Sequence, residues 1–170
     1  MPPHTTYGVF KTPAGWIAAM ASERGLARLT LPCATAEAAL QELGNTGGAR
    51  RDESHFTTLQ AHLAAYFSGQ QVCFADIHLD LSAGTPFQQT VWEVTRHIPY
   101  GQTRSYGEVA AAAGRPGASR AVGQALGRNP VAIIVPCHRV IASGGRIGGF
   151  GGGLELKSRL LELEESGWSV

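Results

Sequence analysis

Apolar residues arrive in short bursts in the first half of the chain and at helical spacing in the second. Tyr7–Lys11, Trp16–Ala21 and Leu26–Leu31 predict three short strands, with Thr12-Pro13-Ala14-Gly15 and Glu23-Arg24-Gly25 as the turns between them. Helical patterns follow at about Ala36–Leu43 and His55–Phe67, and Asn45–Arg51 reads as a loop. Across Cys73–Leu81 the odd positions are apolar and most even ones polar, the period of a strand with one buried face. Ser82-Ala83-Gly84 marks a boundary, giving an α/β part at 1–83 and a second part at 84–170.

The second part opens with Thr85-Pro86, an N-cap followed by a first-turn proline. Phe87, Val91, Val94 and Ile98 then share one helical face and read as core. Ser105-Tyr106-Gly107-Glu108 is a capping box opening a short helix over Val109–Ala113. Gly114-Arg115-Pro116-Gly117 turns the chain, and a second helix runs from about Ala118 to Leu126. Two short helices around a glycine turn outline a helix-turn-helix, an outline many helical hairpins share. The second helix is built of small residues with one long cation, Arg120, near its N-terminus. The helix dipole gives a cation no reason to be there, whereas a phosphate or a base stack would. A glycine-rich stretch, Ile141–Gly153, lacks the strand-to-helix spacing of a phosphate-binding loop. A last helix, Leu154–Glu165, directs Leu156, Leu160, Leu161 and Leu163 inward. On pattern alone, Glu164 there reads as solvated.

Composition changes this picture little: 170 residues, 44% hydrophobic and 16% charged, describe a folded chain with a real core. No stretch is long and apolar enough to span a membrane, and Met1–Thr6 lacks the basic and apolar regions of a secretory signal. Three cysteines without close spacing fit a reducing compartment, so a cytoplasmic location is expected and Cys33 and Cys73 read as plain thiols. Charge is more telling by place than by total. Residues 1–83 hold five basic and seven acidic side chains. Residues 96–146 hold seven arginines against Glu108 alone. That block is either a solvated face or a footprint for phosphate.

The candidate chemistry sits at Pro136-Cys137-His138-Arg139, after the uncharged run Val131–Val135, which predicts a short buried β segment. Proline removes a backbone donor and fixes the entry geometry, so a thiol can be held rigidly at the floor of a pocket. Only the thiolate attacks, and a free cysteine has a pKa near about 8.5, so such a residue needs a base; His138 is adjacent.

These stretches together resemble the O6-alkylguanine-DNA alkyltransferases, or methylated-DNA–protein-cysteine methyltransferases. The match runs through Gly84-Thr85-Pro86-Phe87-Gln88-Gln89, Ile98-Pro99-Tyr100-Gly101 and Thr103-Arg104-Ser105-Tyr106-Gly107. It continues through Ser119-Arg120-Ala121-Val122-Gly123, Asn129-Pro130, Ile134–Ile141 and Lys157–Glu164, in the family's order. Residues 1–83 match only in character. The resemblance implies an α/β (α+β) fold, with an RNase H-like N-terminal domain and a mainly helical C-terminal domain that carries the helix-turn-helix and the cysteine.

It further implies stoichiometric, irreversible transfer of an alkyl group from O6-alkylguanine, and less well O4-alkylthymine, in duplex DNA to Cys137 after base flipping. His138 would act as base through a water with Glu164 orienting it, and Asn129 would brace the turn into the site. Tyr106 would rotate the nucleotide and serve guanine N3. Arg120 would fill the space the base leaves, with Ala118, Ser119, Gly123 and Ser143 also on DNA. Val140, Phe150 and Gly151 would line the base pocket. The resemblance implies no cofactor, no membrane partner and a monomer in solution, and leaves cooperative DNA binding open.

The sequence departs from the family at Ile147-Gly148-Gly149-Phe150-Gly151, where Thr-Gly-Tyr is commoner at 148–150; Phe150 lacks a phenolic O–H and the glycines loosen the loop. No Cys/His cluster in 1–83 supports the zinc site of some relatives, and His4, His55, His62 and His78 are scattered. Two other readings exist. One is a non-reactive alkylated-base sensor, which would need Cys137 inert. The other is a Cys-His hydrolase, which would need an oxyanion hole for which no signature is visible.

Overall fold

The computed structural model describes residues 4–166 and divides into two compact units. The first comprises residues up to Leu81 together with Pro130–Ala132; the second comprises Ser82–Asn129 and the residues from Ile133 onward.

In the first unit, β1 (Thr6–Thr12), β2 (Gly15–Ser22) and β3 (Gly25–Leu29) form an antiparallel meander, and β4 (Arg50–Arg51) adds in parallel to β1. The sheet order is β3-β2-β1-β4. Five successive residues of β2, Ile17–Ala21, are buried, because both faces are covered. On one face, α1 (Ala36–Leu43) sets Ala39 and Leu43 against Val9, Ala18 and Met20. On the other, Phe56 meets Phe10 with ring centroids 6.5 Å apart. Phe56 ends a 3₁₀ turn, Glu53–Phe56, that precedes α2 (Thr57–Phe67), so the helix expected from His55 starts two residues later.

Two strand expectations fail. Cys73–Leu81 is no strand: Ile77 N–H donates to the Phe74 carbonyl at 3.0 Å, and this turn breaks the ladder. Only Leu79 bridges, to Leu26. His78 lies so close there that a Cβ on Gly25 would collide with its carbonyl oxygen. The run Val131–Val135 is buried as expected but is not extended either. Val131 pairs with Leu29 and the chain then turns at Ile133. Burial without alternation left helix, strand and turn indistinguishable by period.

The second unit begins with α3 (Pro86–Arg96), whose Thr85 and Gln88 form a capping box. Ile98, expected on this helix, lies past its end and is buried. β5 (Arg104–Ser105) leads into α4 (Tyr106–Ala112), capped by Ser105 and Glu108, and α5 (Ser119–Gly127) completes the helix-turn-helix. Trp92 of α3 donates its indole N–H to Ala125 of α5 at 2.8 Å. β6 (Val140–Ile141) pairs in parallel with β5, and α6 (Leu154–Ser166) ends the described chain. Among the described residues, no helix is long and apolar enough to cross a membrane.

Candidate active site

The cysteine is placed by backbone geometry set upstream. Pro136 takes φ −80° and ψ 66°, an inverse γ-turn, and Cys137 N–H closes it on the Val135 carbonyl at 2.8 Å. The same carbonyl accepts from Asn129 Nδ2 at 2.8 Å, and that amide nitrogen lies 3.3 Å from Cys137 Sγ. Asn129 therefore ties the thiol to the turn after α5. Burial pushes the Cys137 thiol up. The Asn129 amide, the nearby Lys157 charge and backbone N–H groups pull it back.

Cys137–Arg139 is a 3₁₀ turn, so His138 and Arg139 project from adjacent positions, and both are buried. His138 Nε2 donates to Glu164 Oε1 at 2.7 Å. Arg139 grips the same carboxylate with two donors at 2.8 Å and donates to the Ile98 carbonyl at 2.7 Å. Gly101 N–H reaches Glu164 Oε2 at 3.4 Å. Burial alone would raise the Glu164 carboxyl, but the bonds from His138 and Arg139 outweigh it and hold the group at about 2. Burial lowers the His138 imidazole against the pull of Glu164, with Arg139 and Lys157 adding to the lowering. The result is a neutral ring with its proton on Nε2, which leaves Nδ1 as the acceptor nitrogen. Glu164, solvated on pattern alone, is the carboxylate on which this network converges.

A second cluster surrounds Tyr106, the first residue of α4. Its hydroxyl donates to the Gly149 carbonyl at 3.4 Å, and its ring lies 5.9 Å from Lys157 Nζ. Gly148 has φ +71°, and a Cβ there would stand 2.8 Å from the Tyr106 hydroxyl, so this loop can pass the ring only as glycine. Gly123 of α5 also faces the ring, 3.9 Å from where its Cβ would be. Burial raises the Tyr106 phenol.

Lys157 is the residue that pattern reading missed. It falls among the leucines of α6, where a lysine normally faces water, yet it is completely buried. Its Nζ donates to the carbonyls of Val140 at 2.7 Å and Gly149 at 3.0 Å, joining the segment after the cysteine to the glycine loop. A lysine at an apolar period position was the available signal. Arg139 was likewise unassigned. Of the remaining expected positions, Ala118, Ser119 and Phe150 are half-buried, while Arg120, Ser143 and Gly151 are exposed. Among the described residues, no group of three His, Cys, Asp or Glu side chains could hold a metal ion.

A restrained thiol, a buried histidine and the carboxylate bonded to it thus lie together in the unit that carries the helix-turn-helix. Residues 5–81 match the ribonuclease-like domain of 6-O-methylguanine DNA methyltransferase, and residues 86–166 match its DNA-binding domain. A methylated-DNA–protein-cysteine methyltransferase of Methanosarcina acetivorans is 41% identical over 160 residues, covering 94% of this chain and 98% of that one. Its Mycobacterium tuberculosis counterpart is 56% identical over 115 residues, 68% of each chain. The crystal structure of Mycobacterium tuberculosis OGT in complex with DNA superposes with a TM-score of 0.81 at 43% identity, covering 95% of this chain and 93% of that one. The chain belongs to the methylated-DNA–protein-cysteine methyltransferase family of DNA-repair proteins.

Proposed function

We propose that this protein repairs O6-alkylguanine in duplex DNA by moving the alkyl group to Cys137, once per molecule. The observation that carries the reading is the continuous set Asn129–Cys137 and His138–Glu164–Arg139. It pairs a restrained thiol with a neutral, carboxylate-oriented imidazole. The thiol proton passes to His138 through a water. The thiolate attacks the alkyl carbon in line, so that an S–C bond forms as the C–O6 bond breaks. The electron pair stays on the departing guanine, which takes a proton at N3 from the Tyr106 hydroxyl. The phenolate regains its proton from the imidazolium through solvent. The thioether has no route back to a thiol, which makes the protein a reagent.

Delivery of the base falls to α4 and α5. The small residues Ala118, Ser119 and Gly123 allow α5 to approach a groove closely, and the exposed Arg120 fills the stack when the nucleotide rotates out. Ser143, exposed in a 3₁₀ turn after β6, meets the backbone of the damaged strand. Val140, Phe150 and Gly151 line the base pocket, with a Gly151 N–H on O6. The mycobacterial neighbour solved in complex with DNA supports DNA as the substrate. Cys137→Ser tests the nucleophile: lesion binding is retained in a gel-shift titration while transfer is abolished, and residual transfer would remove Cys137 from its role.

A further inference from the structure

Ile133 is the one non-glycine among the described residues with a positive φ, +71°. Glycine occupies the thirteen other positive-φ positions among the described residues, so a β-branched residue here is an outlier. The side chain is 2% exposed, so packing holds this conformation in place. Strain of this kind persists only where the surroundings over-determine it, and it gathers at functional sites.

The segments on either side are pinned. Upstream, Leu29 N–H donates to the Pro130 carbonyl at 2.9 Å, and Ala132 N–H donates back to Leu29 at 3.4 Å. Downstream, the Val135 carbonyl takes both Asn129 Nδ2 and Cys137 N–H at 2.8 Å. Ile133 makes the turn between them.

We propose that Ile133 is a positioning residue for the acceptor thiol, its left-handed backbone setting the Val135 carbonyl and thereby the seat of Cys137 Sγ against Asn129. Without the lock, Val131–Val135 relaxes toward the extended form its composition favours, and the Val135 carbonyl leaves Asn129. The role rests on Cys137 being the acceptor.

The test compares Ile133→Gly, Ile133→Ala and Ile133→Val in the full chain by three readouts. These are the urea midpoint, the pH profile of iodoacetamide labelling mapped to each cysteine, and single-turnover methyl transfer from an O6-methylguanine duplex. A strained site makes the glycine variant at least as stable as the alanine variant, the reverse of the usual order. The alanine variant, which gives up the positive φ, shifts Cys137 labelling to higher pH, leaves Cys33 and Cys73 unmoved, and slows methyl transfer about tenfold or more, whereas the glycine variant, which adopts a positive φ freely, shifts less on both readouts. Ile133→Val, which keeps the β-branch, restores the native profile. A glycine variant clearly less stable than alanine, or an alanine variant with an unshifted Cys137 profile, would overturn the proposal. Native protein that labels normally at Cys137 but takes no methyl from the lesion would instead overturn the acceptor reading, with the labelling profiles still deciding the role of Ile133.

Discussion

Glu164 and His138 share a 2.7 Å hydrogen bond between two side chains that are essentially out of solvent. The bond fixes the tautomer of the imidazole, and the double grip of Arg139 fixes the carboxylate. Glu164→Gln keeps the shape but removes the charge. Single-turnover transfer should fall about 10²-fold, the scale of a lost acid–base contribution. The stranded Arg139 should cost about 3–5 kcal/mol in urea unfolding, as for a broken buried pair. A variant with native rate would show that the carboxylate does not serve the histidine.

Acid should unfold the protein through the same groups. An ordinary glutamate takes its proton near 4.5, but Glu164 in the folded chain only near 2. His138 is likewise depressed below 6.5 by burial. In both windows the unfolded chain binds more protons, so stability falls as pH falls. The urea midpoint should start to decline below about pH 6.5 and keep falling through about 4.5. The Glu164 share, about 3 kcal/mol, should be missing from the slope of Glu164→Gln. A midpoint flat from neutrality to pH 4 would contradict the buried pair.

Lys157→Met should separate charge from packing. The buried Val140 carbonyl loses its lysine donor, at about 1–3 kcal/mol for an unsatisfied group, while the exposed Gly149 carbonyl keeps the Tyr106 hydroxyl. The thiol also loses a nearby positive charge that lowers its pKa. Transfer should therefore slow at neutral pH and recover as pH rises. A uniform loss at every pH would leave Lys157 a structural role only.

That lysine also marks where the sequence stops being readable. Caps, turns and amphipathic faces are local, so Thr85–Gln88, Ser105–Glu108 and the helices they open were legible, as was the Pro136–Arg139 motif. What decides Glu164 and Lys157 is burial by residues far off in sequence, which no period reports. Glu164 meets its partners 25 and 26 positions away. The strand expected at 131–135 failed for the same reason. A fully buried run has no polar face to reveal its period, and the Ile133 turn lies in a residue type that disfavours it.

Gly148→Ala should act on Tyr106. The new methyl would stand 2.8 Å from the phenol oxygen on a backbone at φ +71°. Either the ring or the loop must move, so transfer from duplex DNA should drop about tenfold or more. Gly149→Ala, with nothing within 4 Å of its Cβ, should be close to native. Equal losses in both variants would point to loop flexibility instead of the Tyr106 contact.

The most direct measurement is the intact mass of the protein after incubation with a duplex carrying one O6-methylguanine. A single added methyl group is expected, mapped to Cys137 and saturating at one equivalent however much lesion is supplied. An unchanged mass despite tight binding to the lesion, or continued turnover with the protein unmodified, would contradict it.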